Sequence, residues 1–597
     1  MPANSTSQLS SSETRARLYP QQVWYCVASF IFVICLGHRV DIDHQRRKTG
    51  GILWRQLPVA GTSLWRRLAY RTAIRTGKDC TLNFMEVFVV AGYFVLVWTW
   101  CLINTTNVQT GEKFNIKYLG NRAATIVSSQ LSLVVALGMR NNIIAALTGI
   151  SFEKLNYLHR MFARILTPAI WLHAGCKVRP PFEIASLHNP DMACGLLAIA
   201  SFTALWAFSW GPLRRRAYEL FYLFHFLTVF LLLIGAYLHA RSFELGYYIL
   251  PALGLWALDR LLRVIRIFIF NHGYFGLTSG TDTFDATAEL ITSDVVRLRF
   301  RRPSHLHWEP GQNAWLTMPG VSALPFESHP FTIATVDSPL ESGTSTEKDE
   351  LQPTPAKGKE LTFIIQTRRG FTRRLQQIAS TSGTLKVLFD GPYSLPPRLA
   401  YYDTVVLFAG GTGISFTCPL FVDLVHKARR DPSYCRSAIF VWAIRDPELI
   451  GAVYDDLIQA LKDSPSTLCL SVRIHVTRIH GVTLPVSDAE DRASSTGTEN
   501  GSVKDLIARA PHTETISGRP SVQAILEEAI LSAHGPVAVA GKSVVCGPDS
   551  MSRETKRVLR SSLAGPMKIL EGGSTVDLFV ETFGAVSVHS RQCACTV

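Results

Sequence analysis

The chain has 597 residues, 47% of them hydrophobic and only 18% charged, with a formal net charge of +14. That is long enough for several domains and apolar enough for a membrane protein carrying a soluble part. The positive excess lies largely in a few loops, so it is read as lipid-facing and not as nucleic-acid binding, and 12 scattered cysteines imply no disulfide framework.

Up to about residue 270 the chain holds long, nearly uncharged runs. Candidate spans fall at about 22–38, 82–103, 122–139, 153–175, 192–210, 217–240 and 244–270. Each is near the roughly 20 residues that cross a bilayer. The last finishes in Asp259-Arg260 and a basic stripe of Arg263 and Arg266, so its end is expected to leave the lipid. The first 20 residues are polar and Ser-rich, unlike a cleavable signal, and the first span can serve as a signal anchor.

Charge orients the spans. Arg46, Arg47, Lys48, Arg55, Arg66, Arg67, Arg71, Arg75 and Lys78 lie between the first two spans, and Arg214-Arg215-Arg216 precede the sixth. The positive-inside rule puts both segments in the cytosol, with the N-terminus outside and everything after residue 270 inside. Sequons at Asn4 and Asn104 then fall on the exterior as glycosylation candidates.

His159 and His173 share one span, and His225 and His239 share another, each pair 14 positions apart. On a helix that is roughly 21 Å along the axis and within about 40° of the same face. Side by side, two such helices offer two His–His clamps, His159 with His225 on the inner side and His173 with His239 on the outer. Interhelical hydrogen bonding is the competing reading. Ionisable groups inside membranes are costly, however, and the doubled spacing favours ligation of two haem irons. With no Cys-x-x-Cys-His, these would be b-type haems.

Beyond residue 270 strand-like and helix-like segments alternate. Residues 284–300 read as strands of a small antiparallel barrel, followed by Glu309-Pro310-Gly311-Gln312 and His329-Pro330-Phe331-Thr332. Gly370-Phe371-Thr372-Arg373 joins a glycine turn, a hydroxyl and a cation, which suits a pyrophosphate. Asp390-Gly391-Pro392-Tyr393 closes the barrel. The apolar run 404–409 leads into Gly410-Gly411-Thr412-Gly413 and a helix to about Lys427, a strand–turn–helix unit suited to phosphates. A second strand, 438–443, ends at Arg445, where a 2′-phosphate would be met. A third, from Ser543, ends in Cys546-Gly547-Pro548, with Cys546 expected beside a nicotinamide. Polar inserts at about 337–360 and 484–516 are taken as flexible loops. The tail cysteines Cys593 and Cys595 form no prenylation box.

This ordered set resembles the ferric reductase and NADPH oxidase superfamily, most closely its fungal-type transmembrane ferric-chelate reductases. The likeness covers about residues 80–585. It rests on the two His-x13-His helices, Tyr218-Glu219-x-Phe221-x3-His225, the motif at 329–332, the turn at 410–415, Cys546-Gly547-Pro548 and Glu581-x-Phe583. The resemblance implies an α-helical transmembrane bundle of about seven helices followed by a ferredoxin-reductase-like module, an antiparallel β-barrel FAD domain plus an α/β nucleotide-binding domain. Expected boundaries are an extracellular tail at 1–21, the di-haem domain at 22–270, the FAD domain at 275–400 and the NADPH domain at 401–597.

The resemblance also implies roles. His329, Pro330, Phe331, Thr332, Gly370 and Thr372 would bind FAD. Gly410, Gly411, Thr412, Gly413, Arg445, Cys546, Gly547 and Pro548 would bind NADPH. Cys546, Glu581 and Phe583 would stand near hydride transfer. Many relatives carry an aromatic shortly after the Glu-x-Phe motif, whereas Ala585 and a polar tail follow here, leaving Phe583 as the candidate flavin cover. The implied activity is electron transfer from cytosolic NADPH through FAD and two haems to extracellular Fe(III) or Cu(II) chelates at the plasma membrane, alongside an iron permease/oxidase uptake system. Production of superoxide from O₂ is the alternative. A receptor or transporter with a degenerate reductase tail is disfavoured by the intact histidines and nucleotide turns.

Overall fold

The computed structural model describes residues 11–46, 61, 64–65, 73–75, 81–106, 111–177, 189–272, 285–325, 327–337, 358–381, 383–399, 402–477, 512–544, 550–560, 566–571 and 574–581. Two compact units emerge, one built on residues up to Asp43 and Ala73–Ile265, the other on Arg266 onward.

The first unit is helical. Its long helices are α1 Ser11–Arg46, α2 Phe84–Leu102, α3 Ile116–Gly138, α4 Phe152–Lys177, α5 Pro190–Phe208, α6 Tyr218–Arg241 and α7 Leu250–Phe270, whose last turn belongs to the second unit. Helix α1 begins at Ser11, inside the segment expected to be a tail at 1–21, and runs past the expected span. Hydropathy marks the lipid-facing window, whereas helix ends depend on backbone hydrogen bonding, so the two need not coincide.

Four helical stretches are long and apolar enough to cross a membrane by length and composition: Leu18–Arg39, Phe84–Leu102, Pro190–Phe208 and Tyr218–Arg241. Helices α3, α4 and α7 are more polar, and part of that polarity is buried inside the unit, as at Arg122, Gln130 and Asp259. Arg122 reaches the backbone carbonyls of Ile103 and Asn104 at the end of α2 and lies 4.2 Å from the Tyr19 ring centroid. A cation at a helix C-terminus is favourable, which offsets part of its burial. Asp259 accepts hydrogen bonds from the backbone and side-chain nitrogens of Asn141, both at 3.2 Å. Val97, Ile126, Leu155, Leu166 and Leu233 supply apolar packing between these helices.

The second unit opens with two antiparallel sheets around one core. Strands β1 Asp285–Thr292, β2 Val295–Arg302, β3 Asn313–Thr317, β4 Ser328–Thr332, β5 Lys359–Gln366, β6 Thr384–Lys386 and β7 Leu388–Tyr393 form sheets of order β5-β2-β1-β6 and β4-β3-β7. Leu298, Leu316, Phe363 and Phe389 fill the space between them. Helix α8, Phe371–Thr381, lies between β5 and β6 in the chain and buries Phe371 and Leu375.

A six-stranded parallel sheet follows, from β8 Thr404–Gly411, β9 Ser437–Ile444, β10 Cys469–Val476, β11 Thr513–Ser517, β12 Val537–Val544 and β13 Val576–Glu581, in the order β11-β10-β9-β8-β12-β13. Leu407, Phe440 and Val472 pack with α9 Ile414–Arg430 and α10 Tyr454–Lys462 on one face. Val406, Phe408, Val441 and Val539 pack with α11 Val522–Ser532 on the other. From β8 the chain builds outward through β9, β10 and β11, then returns to β8's other side with β12. That reversal is the topological switch point, where open α/β sheets bind ligands at their carboxyl edge.

One sequence expectation is revised here. Thr513–Ser517 is an edge strand paired with β10, although 484–516 is expected to be loop. A polar, Thr-rich edge strand needs no apolar alternation when its outer side meets solvent, so hydropathy alone misses it. The rest of that insert, and 338–357 of the first, lie outside the described residues, as do the tail cysteines.

Candidate functional site

Helices α4 and α6 bring their histidines together in two pairs. The His159 and His225 rings have centroids 6.2 Å apart with planes at 70°; those of His173 and His239 are 6.3 Å apart at 63°. An imidazole nitrogen holds a metal at roughly 2 Å, so each pair has room for one metal ion between its rings.

The neighbouring helices fix which nitrogen is available. His159 Nδ1 donates to the Val134 carbonyl at 2.7 Å, His173 Nδ1 to Gly120 at 2.9 Å and His239 Nδ1 to Asp191 at 2.8 Å. A carbonyl accepts only from a protonated nitrogen, so Nδ1 carries the proton and Nε2 keeps the lone pair that ligates metal. His225 Nδ1 is buried with no hydrogen-bond partner among the described residues.

Glycines let the supporting helices approach. A Cβ at Gly138 of α3 would sit 2.9 Å from His159 Nδ1, and one at Gly195 of α5 would sit 2.9 Å from His239 Nδ1. Sequence reasoning did not point to these glycines or to the three carbonyls that meet the histidines. Their signal is a glycine or carbonyl on a neighbouring helix, with no fixed offset from the histidine it supports.

In the antiparallel sheets, His329, Pro330, Phe331 and Thr332 form most of β4. His329 Nε2 lies 3.0 Å from Glu327 Oε1 and its ring centroid 4.4 Å from that of Phe371. Glu327 is buried and also accepts from Arg374 at 3.0 and 3.2 Å. Glu327 and Arg374 thus tie β4 to the first turn of α8, another link with no motif to announce it. Gly370 sits just before α8 with φ +66°, a left-handed conformation that suits glycine, and its carbonyl accepts from the Arg373 and Arg374 amides. Thr372 Oγ1 accepts from the Arg368 amide at 2.8 Å. The exposed cations Arg368, Arg369 and Arg373 stand at this helix start, where an anion is favoured.

The turn at 410–413 closes between β8 and α9. Gly411 has φ +52°, the Gly413 amide donates to the Gly410 carbonyl at 2.9 Å, and Gly413 precedes the helix directly. Gly410, Thr412 and Gly413 are buried. Fully buried Trp442 donates its Nε1–H to the Gly411 carbonyl at 3.0 Å, holding the turn from the neighbouring strand. Arg445 is exposed just past the carboxyl end of β9. Glu581 ends β13, at the same edge of the parallel sheet.

Asn104 is exposed after α2, and its Nδ2 donates to the Tyr19 hydroxyl at 3.1 Å. Cys546, Gly547, Pro548, Phe583 and Asn4 lie outside the described residues.

Three family models match in succession. "Ferric reductase like transmembrane component" covers residues 123–236, "FAD-binding domain" covers 282–397 and "Ferric reductase NAD binding domain" covers 402–559. The "Probable cell surface ferric reductase kap2" of Aspergillus oryzae is 28% identical over 57% of this chain and 45% of that protein. "Ferric reductase transmembrane component 5" of Saccharomyces cerevisiae is 24% identical over 84% of this chain and 66% of that protein. The matched region is therefore less than two thirds of the length of either relative. A solved flavohemoglobin from Malassezia yamatoensis is 12% identical with a TM-score of 0.33, covering 76% of this chain and 96% of that one. The three matches, to a ferric reductase transmembrane component, a FAD-binding domain and a ferric reductase NAD-binding domain, thus follow one another along a chain of apolar helices and then sheets, and the curated relatives it resembles are fungal ferric reductases.

Proposed function

We propose that the protein is a transmembrane metalloreductase that passes electrons from cytosolic NADPH, through FAD and two b-type haems, to extracellular Fe(III) or Cu(II) chelates for metal uptake. The observation that carries this reading is the doubled histidine clamp, with centroid separations of 6.2 and 6.3 Å. His159 with His225 would hold the inner haem and His173 with His239 the outer one. Clamping from both sides leaves no open position on the iron, which suits electron transfer over oxygen binding.

Bound FAD would accept a hydride and release its electrons singly, which haem iron requires. The chain's residues supply binding and orientation. The Gly370 turn and the cations beside it would hold the flavin diphosphate, and His329 to Thr332 would lie along the flavin. The amides of 410–413 would bind the nicotinamide dinucleotide at the switch point, with Arg445 on the 2′-phosphate. Cys546, Gly547, Pro548, Glu581 and Phe583 would border hydride transfer. In this reading residues 22–270 form the di-haem domain, 275–400 the FAD domain and 401–597 the NADPH domain. The plasma membrane would hold the chain with its reductase module in the cytosol.

Sealed vesicles test the whole path. With NADPH on the cytosolic face and an impermeant ferric chelate on the other, reduction is expected under anaerobic conditions and in the presence of superoxide dismutase. Reduction only when both share a side sinks the transmembrane reading, and reduction that needs O₂ and is quenched by the dismutase makes the protein an oxidase instead.

Cofactor choice gives a second expected result. Arg445→Ala should weaken NADPH far more than NADH, because only NADPH offers a 2′-phosphate to a guanidinium. Loss of one charge-assisted contact costs about 1.5–3 kcal/mol, roughly 10- to 150-fold in affinity. Equal losses of affinity for both cofactors, measured by titration, would assign Arg445 a structural role.

A further inference from the structure

One glycine of the flavin-binding sheets rests directly on the nucleotide-binding helix. Gly311 has φ +91°, a left-handed conformation, and a Cβ built on it would lie 3.0 Å from Cε2 and 3.4 Å from Cδ2 of Phe416. It would also lie 3.4 Å from Cβ of Pro396. A ring that close leaves room for a hydrogen and for nothing larger. Phe416 is 2% exposed, and a close-packed interior gives its ring no free space into which to retreat.

Each partner in this contact is tied to a segment that the sequence marks for a cofactor. Gly311 precedes Gln312, whose carbonyl accepts at 3.0 Å from the amide of Ile333, the residue next to Thr332. Gln312 Nε2 donates to the Ser394 carbonyl at 3.1 Å, and its Oε1 accepts from the Glu309 amide at 2.8 Å. Asn313 then pairs with Thr332 on one side and Tyr393 on the other. The loop is thus bonded to the strand that carries 329–332. Phe416 is the third residue of α9, and its amide donates to the Gly413 carbonyl at 3.1 Å, inside the glycine turn. Val295, Ala334 and Ile364 of the antiparallel sheets share a buried cluster with Phe416 and with Leu407 of β8. The two halves of this unit therefore have a continuous core, and Gly311 against Phe416 joins the loop beside one motif to the helix that begins at the other.

We propose that Gly311 and Phe416 are positioning residues for hydride transfer, a spacer that sets how closely the flavin strand and the nucleotide turn approach. This rests on the functional reading above, in which 329–332 lie along FAD and 410–413 bind NADPH. That step moves one hydrogen with both electrons of a C–H bond from NADPH to bound FAD, leaving NADP+ and reduced FAD. Neither residue is assigned to a reacting atom. A hydride passes only between atoms in contact, and a displacement of about 1 Å can cost roughly a hundredfold in rate. A methyl group on Gly311 makes its neighbours give by a few tenths of an ångström, so the expected loss is smaller, roughly tenfold.

The experiment uses the full-length purified protein loaded with FAD and mixed anaerobically with saturating NADPH, with flavin absorbance followed through a single turnover. Gly311→Ala is expected to slow flavin reduction roughly tenfold while the dissociation constants of FAD and NADPH stay within about twofold of wild type. The long-wavelength charge-transfer absorbance of flavin stacked on nicotinamide should weaken in the same variant. Without either cofactor, hydrogen exchange at the Ile333 amide should accelerate. Rescue identifies the contact: Phe416→Leu removes the ring edge that the methyl meets. Phe416→Leu alone should slow flavin reduction severalfold, and the double variant should be faster than either single one. If Gly311→Ala fails to fold, the double variant against Phe416→Leu still decides. Gly518→Ala is the control for backbone strain, since its φ is +100° and a Cβ there meets nothing within 4 Å. It should lose stability and keep the wild-type rate. Wild-type flavin reduction in Gly311→Ala and Phe416→Leu overturns the proposal, as does a double variant slower than both. A rate loss matched by weaker cofactor binding, or an equal loss in Gly518→Ala, overturns it too. If wild type itself shows no NADPH-driven flavin reduction, the functional reading fails and the spacer role falls with it.

Discussion

His173→Ala and His239→Ala are each expected to remove one of two haems per chain, halving the bis-histidine absorbance while NADPH-driven flavin reduction continues. Each ring is placed for ligation by its Nδ1 bond, to Gly120 for His173 and to Asp191 for His239. Loss of a supporting partner alone typically costs about 10- to 100-fold in metal affinity, so loss of the ligand itself should reach at least the upper figure. Reduction of an impermeant external chelate should then fall to about one-hundredth of wild type or less. The inner pair is untouched in these variants, so one haem should remain reducible. A variant with both haems, or with chelate reduction at the wild-type rate, would refute the assignment of the outer pair.

Gly138→Ala and Gly195→Ala are expected to be nearly as damaging, although neither glycine is a ligand. The added methyl would lie 2.9 Å from Nδ1 of His159 or of His239, closer than carbon and nitrogen tolerate. His159 cannot simply swing away, because the same Nδ1 is tied to the Val134 carbonyl at 2.7 Å. Either the ring leaves its position or the helices part. Overpacking of this kind costs about 1–3 kcal/mol, and a displaced ligand ring adds a loss of roughly 10- to 100-fold in haem affinity. Gly92 of α2 and Gly254 of α7 serve as controls, since a Cβ at either meets nothing within 4 Å. Alanine there should leave haem content unchanged and favour the helix slightly. Haem-to-protein ratios of purified variants measure this; equal ratios in all four variants would refute the supporting role of Gly138 and Gly195.

Much of the architecture is local pattern and is therefore readable in the chain. Apolar windows locate the helices because a bilayer demands length and hydrophobicity together. A 14-residue histidine spacing is legible because helix geometry repeats, and the strand–glycine turn–helix at 404–430 is legible because one short stretch contains the whole unit. The doubled histidines, the turn at 410–413 and the flavin segment at 329–332 were candidates on the sequence for that reason.

Only the folded chain decided what stands behind them. Carbonyls of Val134, Gly120 and Asp191 orient the histidines across 25, 53 and 48 residues of sequence. Trp442 holds the Gly411 carbonyl from the neighbouring strand, and Arg374 and His329 meet on Glu327. Asn271 and Phe389 are 118 residues apart yet pair as strand neighbours. Backbone carbonyls and glycines carry no motif of their own, since every residue has a carbonyl and glycine serves many turns. Their role comes from which surface lies opposite, and that is set when helices pack and sheet edges find partners. Sequence thus determined which groups are candidates for the chemistry; tertiary packing decided which nitrogen, which ring angle and which supporting partner each of them has.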